Sequence, residues 1–455
     1  MKTLNLGRGP GLPAVLILGL VTSFGAAGRA QAAAPAAKAL PESASAPAAA
    51  PAPPASTTAA TPESAPASAP APSAKDVEDF TKLLGGSGEA AMGGGTGGGT
   101  TLGGVVGAAL PNISAIGNFY AAYFSGDPTF RFGHDPASTG FGLQELEIGI
   151  QSVVDPFFRA DIFLSINFQE GLDIEEAYLT SLFAMPLGLQ LRIGEFLTKF
   201  GRFNPRHLET WTFADQPLPY RRFIGGEGLR ALGIEVSSLL PLPIYTELIV
   251  AVQNSSNEQS FGGTDSFLGS AGVGFMESAR LAFAFGGVDD AFGGTFGFSA
   301  AAAPNVLTAA GFTERSAIFG ADFFIRIRPR GVMRWVDVTA EYLLRTAQVP
   351  GALVVEGGFY GEVAWRITRN YEVALRGDHV GAPGAVVYDP ARPTDPYTPA
   401  DETRGTAAFT FYPSEFVRLR LQYSIGLLEG RADNPYNEAM VVLKFNVGPH
   451  GAHPF

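Results

Sequence analysis

From Asn112 to the C-terminus, apolar and polar residues alternate with period two, in segments of about ten residues separated by turn signals. Val417, Leu419, Leu421, Tyr423 and Ile425 share one face, and Arg418, Arg420, Gln422 and Ser424 share the other. The same holds for Phe158, Ala160, Ile162, Leu164 and Ile166 against Arg159, Asp161 and Asn167. It recurs in Phe319, Ala321, Phe323, Ile325 and Ile327 against Asp322, Arg326 and Arg328, and in Ala439, Val441, Leu443, Phe445 and Val447 against Glu438, Lys444 and Asn446. Sixteen segments start near residues 113, 142, 157, 172, 188, 229, 243, 276, 292, 314, 333, 353, 370, 403, 416 and 437. Connections after even-numbered segments are mostly tight, as at Asp155-Pro156 and Pro413-Ser414-Glu415. Those after odd-numbered segments include the long ones, 125–140, 198–228, 255–275, 304–313, 381–402 and 428–436. Short turns at one end and long loops at the other are the layout of an outer-membrane barrel.

A soluble sandwich or propeller is the alternative. No blade-length repeat supports a propeller. A sandwich gives the polar faces no reason to hold acidic pairs such as Glu145/Glu147 and Glu175/Glu176. Lipid outside and a wet lumen inside account for both faces. The fold class expected is therefore all-β, a transmembrane antiparallel up-and-down barrel of about sixteen strands. Tyr120, Tyr123, Phe124, Phe157, Trp365, Tyr371, Tyr412 and Tyr423 fall near segment ends, where interfacial aromatic girdles are expected.

The longest connection between confident segments lies within Leu189–Glu235 and is rich in Arg, Pro, Gly and aromatics. Loops of that length are uncommon unless they are functional or disordered. Trp211, Phe213, Tyr220 and Phe223 give this one apolar groups with which to pack, so it reads as ordered. Its candidate site residues are Lys199, Arg202, Arg206, Arg221 and Arg222. One reading is a basic constriction that sets ion selectivity by its local field, where Arg suits phosphate or carboxylate through its planar fork. The other is that these cations pair with Glu195, Glu209, Asp215 and Glu227 to hold the loop shut. Arg326, Arg328, Arg376, Arg418 and Arg420 are expected to face the lumen on the strands.

The N-terminus reads as an export signal, residues 1–32. Lys2 and Arg8 precede an apolar run from Leu12 to Phe24 that is too short to span a membrane, and Ala30-Gln31-Ala32 supplies the cleavage pattern. Losing Lys2, Arg8 and Arg29 with the signal takes the net charge from −12 to −15, which argues against nucleic acid as a partner. Residues 33–74 are an Ala/Pro-rich disordered linker, 75–84 a short helix with Val77, Phe80 and Leu84 on one stripe, and 85–111 a Gly-rich linker ahead of the barrel at 112–455. There is no cysteine, and five scattered histidines suggest no metal site. No nucleophile–His arrangement points to catalysis, and GGGTGGG at 93–99 lacks the Lys-Ser/Thr of a phosphate loop.

LRIGEFLTKFGRFNPRHLETWTFADQPL, with FIGGEGLRALGIE after it, resembles the strand–loop–strand signature of the phosphate-selective porin O and P family. ELEIGIQSVVDPFFRADIFLSI and GLDIEEAYLTSL are similar to that family's preceding hairpins. The closing GPHGAHPF resembles the tail of porin-like relatives labelled zinc-regulated or TonB-dependent receptors. The likeness covers residues 140–240 and the C-terminus. It implies a trimeric, sixteen-stranded channel in the outer membrane of a Gram-negative bacterium, with the long loop folded inward as a constriction. The solutes would be small, hydrophilic and phosphate-like. Where relatives carry His-x-His in this loop, the chain has His207-Leu208-Glu209, so no metal is carried over, and no cofactor is expected. Outer-membrane lipid, small solutes and two further copies of the chain are the partners this reading supplies. A TonB-linked receptor and a barrel that anchors the envelope through the Ala/Pro segment are the alternatives. The receptor would require a 22-stranded barrel with a plug, which about 340 residues do not supply.

Overall fold

The computed structural model describes residues 111–126, 133–167, 171–183, 185–255, 258–261, 274–287, 290–304, 315–329, 334–349, 352–381, 400–432 and 434–448. The export signal, both linkers and the 75–84 helix lie outside the described residues, as do His450 and His453.

Sixteen strands form one closed antiparallel barrel. They are β1 (Asn112–Phe124), β2 (Gly140–Val153), β3 (Phe158–Asn167), β4 (Gly171–Ser181), β5 (Leu189–Leu197) and β6 (Arg230–Leu239). Next come β7 (Tyr245–Asn254), β8 (Phe275–Phe285), β9 (Phe292–Pro304), β10 (Arg315–Ile327) and β11 (Trp335–Val349). The circle is completed by β12 (Ala352–Arg366), β13 (Tyr371–Gly381), β14 (Glu402–Phe411), β15 (Val417–Leu428) and β16 (Tyr436–Val447). Each strand pairs with its neighbours in sequence, and β1 pairs with β16 from Ala115↔Val447 to Phe124↔Glu438, so no edge is left unpaired.

The faces are inverted relative to a soluble protein. On β15, Leu419, Leu421, Tyr423 and Ile425 are exposed on the outer surface, while Arg418, Arg420, Gln422 and Ser424 are buried inside. β3 repeats this, with Asp161, Ser165 and Asn167 buried and Ile162, Leu164 and Ile166 outward. An apolar exterior around a polar interior is stable only where the exterior meets hydrocarbon. Exposed Phe157, Phe292, Trp365, Tyr371 and Phe416 ring the short-turn end. Tyr120 and Phe124 depart from the expected girdle. Strand parity turns both inward, where they pack with Ala214 of the long loop.

Two β-bulges interrupt the alternation. Asn118 pairs with Glu145 but Phe119 with Leu143, leaving Gln144 as the extra residue in β2. Phe163 pairs with Glu176 but Leu164 with Ile174, leaving Glu175 extra in β4. A bulge re-aims side chains. Here it brings Gln144 with Glu145, and Glu175 with Glu176, to the inside of the wall, all four buried.

Candidate functional site: the inward loop and the charged lumen

The connection between β5 and β6, residues 198–229, folds into the barrel. Its neck is closed by Thr198 N–H donating to Leu229 O at 2.8 Å. Asn204 bridges the same neck, donating to Thr198 O and Leu229 O and accepting from Leu229 N–H. Further in, helix α1 (Leu218–Phe223) lies against β12 and β13. Phe203, Trp211, Leu218, Tyr220 and Phe223 share one buried cluster with Ile318, Leu343 and Tyr360 of the wall. In a wet lumen the hydrophobic effect still operates, and each such side chain contributes about 1.5–3 kcal/mol on burial.

A loop inside a protein must satisfy its backbone polar groups. Wall side chains do this here. Gly201 N–H donates to Ser299 Oγ, Arg202 N–H to Glu341 Oε1 and Ala214 N–H to Gln422 Oε1. Gln144, the bulge residue, donates to His134 O and Ala214 O. Tyr220 and Tyr360 both donate to Glu341, at 2.6 and 3.1 Å. Gly201 has φ +59°, and a Cβ there would strike the Tyr220 hydroxyl and the Glu341 carboxylate.

The five loop cations fall into two groups. Arg221 is a structural tie, donating to Asp135 at 2.9 Å and Asp215 at 3.0 Å, all three buried. Arg222 pairs with Glu356 at 3.3 Å, and Lys199 with Glu235 at 3.4 Å. Arg202 and Arg206 have no carboxylate within ion-pair distance among the described residues. Arg202 stacks on the Phe324 ring at 3.7 Å, and Arg206 bonds the carbonyl of Thr210. Burial, and then the Arg206 charge, push the Arg202 guanidinium down to about 10.

The strand cations divide in the same way. Arg326 pairs with Asp337 at 2.7 Å, and Arg328 sits half-buried just past β10. Arg376 is buried against Asp215 and Asp378, at 3.0 Å from each. Arg418 and Arg420 both donate to the Trp211 carbonyl, at 3.3 and 2.7 Å, with no carboxylate in ion-pair range among the described residues. Lys444, in register with Arg418, donates to the Glu209 carbonyl at 3.3 Å. Trp211 Nε1–H in turn donates to Arg206 O, so one indole joins the loop cations to those of β15. Arg202, Arg206, Arg418, Arg420 and Lys444 thus have carbonyls and rings as their close partners.

Sequence reasoning put Lys444 on the polar face of its strand without counting it among the lumen cations, and it missed Arg404. Arg404 is fully buried between Asp215 and Asp378. Its inward parity on β14 was visible, but its partners are not local. Also missed was the joining of the acidic pairs to the histidines. His207 Nδ1 lies 2.9 Å from Glu147 Oε2 and 3.4 Å from Glu175 Oε2, and its Nε2 lies 2.9 Å from Glu176 Oε2. His134 Nδ1 lies 2.9 Å from Glu145 Oε2. Burial alone would favour a neutral His207 ring. The charges of Glu175 and Glu147 outweigh it and hold the pKa well above the usual imidazole value. Around the barrel, the glutamates of β2 and β4 and the cations of β15 and β16 occupy neighbouring arcs with β1 between them.

No protein-family model matches the chain. An uncharacterized protein of Aquifex aeolicus (strain VF5) is 29% identical over 367 residues, covering 73% of this chain and 74% of that one. Among solved structures, the outer membrane channel DcaP of Acinetobacter baumannii aligns at 12% identity and TM-score 0.49, covering 74% of this chain and 97% of that one. An anion-selective porin from Comamonas acidovorans aligns at 12% identity and TM-score 0.48, over 74% and 99%. A loop-deletion mutant of OmpT from Vibrio cholerae aligns at 10% identity and TM-score 0.48, covering 75% of this chain and all of that one.

Proposed function

We propose that the chain is an outer-membrane porin that passes small hydrophilic anions by passive diffusion, as a trimer in a Gram-negative outer membrane. The observation that carries this reading is the sorting of lumen cations by partner. Arg221, Arg376 and Arg404 are saturated by aspartates and fix the loop. Among the described residues, Arg202, Arg206, Arg418 and Arg420 have no carboxylate within ion-pair distance and keep their positive field for whatever moves past them. A narrow point lined by uncompensated cations selects anions by local potential. Guanidinium forks favour the planar or tetrahedral oxyanions of phosphate-like and carboxylate solutes. Passive permeation needs no bond-making, and a channel function assigns no catalytic residue. A sixteen-strand closed barrel is also short of the 22 strands of an energy-coupled receptor.

Reconstitution in planar bilayers tests both parts. The porin reading expects stepwise conductance and, in a salt gradient, a reversal potential of anion-selective sign. Replacing Arg202, Arg206, Arg418 and Arg420 together by Gln should move that potential toward cations. Absence of steps from correctly folded protein overturns the channel, and an unmoved reversal potential overturns the filter.

A further inference from the structure

Between the β2 and β4 walls and the inward loop lies a buried group of ionisable side chains that the channel reading does not use. It contains Glu145, Glu147, Glu175, Glu176, His134 and His207, all at least nine-tenths buried. We propose that Glu147, Glu175 and His207 bind a divalent transition cation of the Zn²⁺ class, with Glu176 as the residue that positions His207.

Geometry is the first support. One oxygen each from Glu147 and Glu175 and one ring nitrogen of His207 lie within 4.8 Å of one another. Donors bound at about 2.0–2.2 Å in a tetrahedron stand roughly 3.4 Å apart. The His207 Nδ1 separation of 3.4 Å from Glu175 matches that spacing, and the 2.9 Å to Glu147 is shorter by about the amount that a small shift of one carboxylate makes up. The far side of the ring is arranged as a metal-bound histidine requires. Nε2 is 2.9 Å from Glu176 Oε2, which fixes the orientation of the ring, and a cation at Nδ1 would replace the proton shared there with Glu147. The Phe163 ring packs on the imidazole at 4.8 Å and holds its plane.

Charge is the second. Glu145, Glu175 and Glu176 have only the two histidines as cations within 4 Å among the described residues. Even two imidazolium rings leave these three carboxylates one negative charge in excess, before Glu147 is counted. Buried charge without compensation is strongly disfavoured. Among the described residues, Glu175 Oε2 makes no hydrogen bond of good geometry and faces His207 Nδ1 at 3.4 Å, and Glu145 Oε1 has no hydrogen-bond partner. A divalent ion supplies the missing charge and the missing partner together.

The local fold builds this arrangement on purpose. The β4 bulge turns both Glu175 and Glu176 inward, so consecutive residues serve as ligand and as positioning group. A cavity of about 20 Å³ bordered by Glu175, His134 and Arg206 adjoins the cluster, enough for about one water as a further ligand. Nitrogen among the donors favours Zn²⁺ or its first-row neighbours over Ca²⁺. The ion would clamp the loop, through His207, to two strands of the wall.

The inference is independent of the channel reading, since a barrel that conducts nothing leaves a metal titration untouched. The experiment is isothermal titration of the full, chelator-treated barrel in detergent with Zn²⁺, and separately with Ca²⁺. We expect one Zn²⁺ per chain, retained in H450A/H453A. E147Q, E175Q and H207A should each weaken binding at least about 100-fold, and E176Q about 10–100-fold. Heat-modified gel mobility reports which variants are folded barrels. If H207A does not fold, the wild-type Co²⁺ absorption spectrum and its loss in E175Q replace that arm. The proposal is overturned by an absence of saturable Zn²⁺ binding, by binding that survives in E147Q and E175Q, by binding lost with the tail histidines, or by equal affinity for Ca²⁺.

Discussion

Asp215 is the side chain on which the loop's position depends most, and D215A gives the sharpest test of how the loop is held. Its carboxylate is fully buried and accepts from Arg221 at 3.0 Å, Arg376 at 3.0 Å, Arg404 at 2.5 Å and Gln422 at 2.8 Å. Three guanidiniums there share Asp215 with Asp135 and Asp378, and Glu438 lies 3.7 Å from Arg404, so deletion strips all three of their common buried acceptor while each keeps at least one other carboxylate in range. Removing one partner of a buried ion pair costs about 3–5 kcal/mol. Asp378 still faces Arg376 and Arg404, and Asp135 still faces Arg221, so the lower end, about 3 kcal/mol, applies. At 1.4 kcal/mol per tenfold, that multiplies the undocked fraction of the loop roughly a hundredfold. Trypsin reads this directly, because cleavage after Arg202, Arg206, Arg221 or Arg222 requires an undocked loop and its rate follows the open population. D215A should raise cleavage at those sites about a hundredfold and add excursions to higher conductance. Cleavage within a few-fold of wild type, from a barrel of normal heat-modified mobility, would refute the argument.

Two further substitutions test other parts of the reasoning. G201A puts a Cβ into a left-handed conformation and against the Tyr220–Glu341 hydrogen bond, so it should lower loop or barrel stability by about 1–3 kcal/mol, read as a lower unfolding midpoint in urea. An unchanged midpoint would mean that the neck tolerates a different path. L421R, at the centre of the outward face of β15, should reduce folding into liposomes by about 2–4 kcal/mol, whereas T406R on the lumen side of β14 should be far better tolerated in the same assay. Equal penalties would contradict the assignment of the apolar face to lipid.

Much of the barrel was legible because each strand answers two solvents at once. Period-two parity placed all sixteen strand starts within two residues of those observed. It also put Arg418, Arg420 and Asp322 inside and Leu419, Leu421 and Phe323 outside. Parity fails where a bulge adds a residue. Neither Gln144 nor Glu175 can be identified as the extra residue from alternation alone, yet they put Gln144 on the loop's carbonyls and Glu175 beside His207. Tyr120 and Phe124 were misread for a related reason. An aromatic near a strand end satisfies an interface or a packed loop equally well, and only the loop's path decides.

The loop cations show what a sequence withholds. Arg202, Arg206, Arg221 and Arg222 are alike in type and neighbourhood, and the competing readings of filter and clamp applied to all of them. Ring closure separates them. Asp135 follows β1, and Asp378 and Arg404 lie on β13 and β14, so their meeting with Arg221 at Asp215 depends on the loop reaching across the lumen. Arg202 and Arg206 lie earlier in the loop, where Glu341 of the wall is taken up by the Arg202 backbone N–H and the guanidiniums meet Phe324 and a loop carbonyl. Both readings therefore hold, for different residues, and the difference has a consequence for variants. Neutralising Arg221 strips Asp135 and Asp215 of a buried partner and should loosen the loop without a clean change of selectivity. Neutralising Arg202 and Arg206 removes positive field while the aspartate ties stay intact, so selectivity should move and tryptic resistance should not. A variant pair that reversed these two outcomes would show that the saturated and unsaturated cations had been assigned the wrong way round.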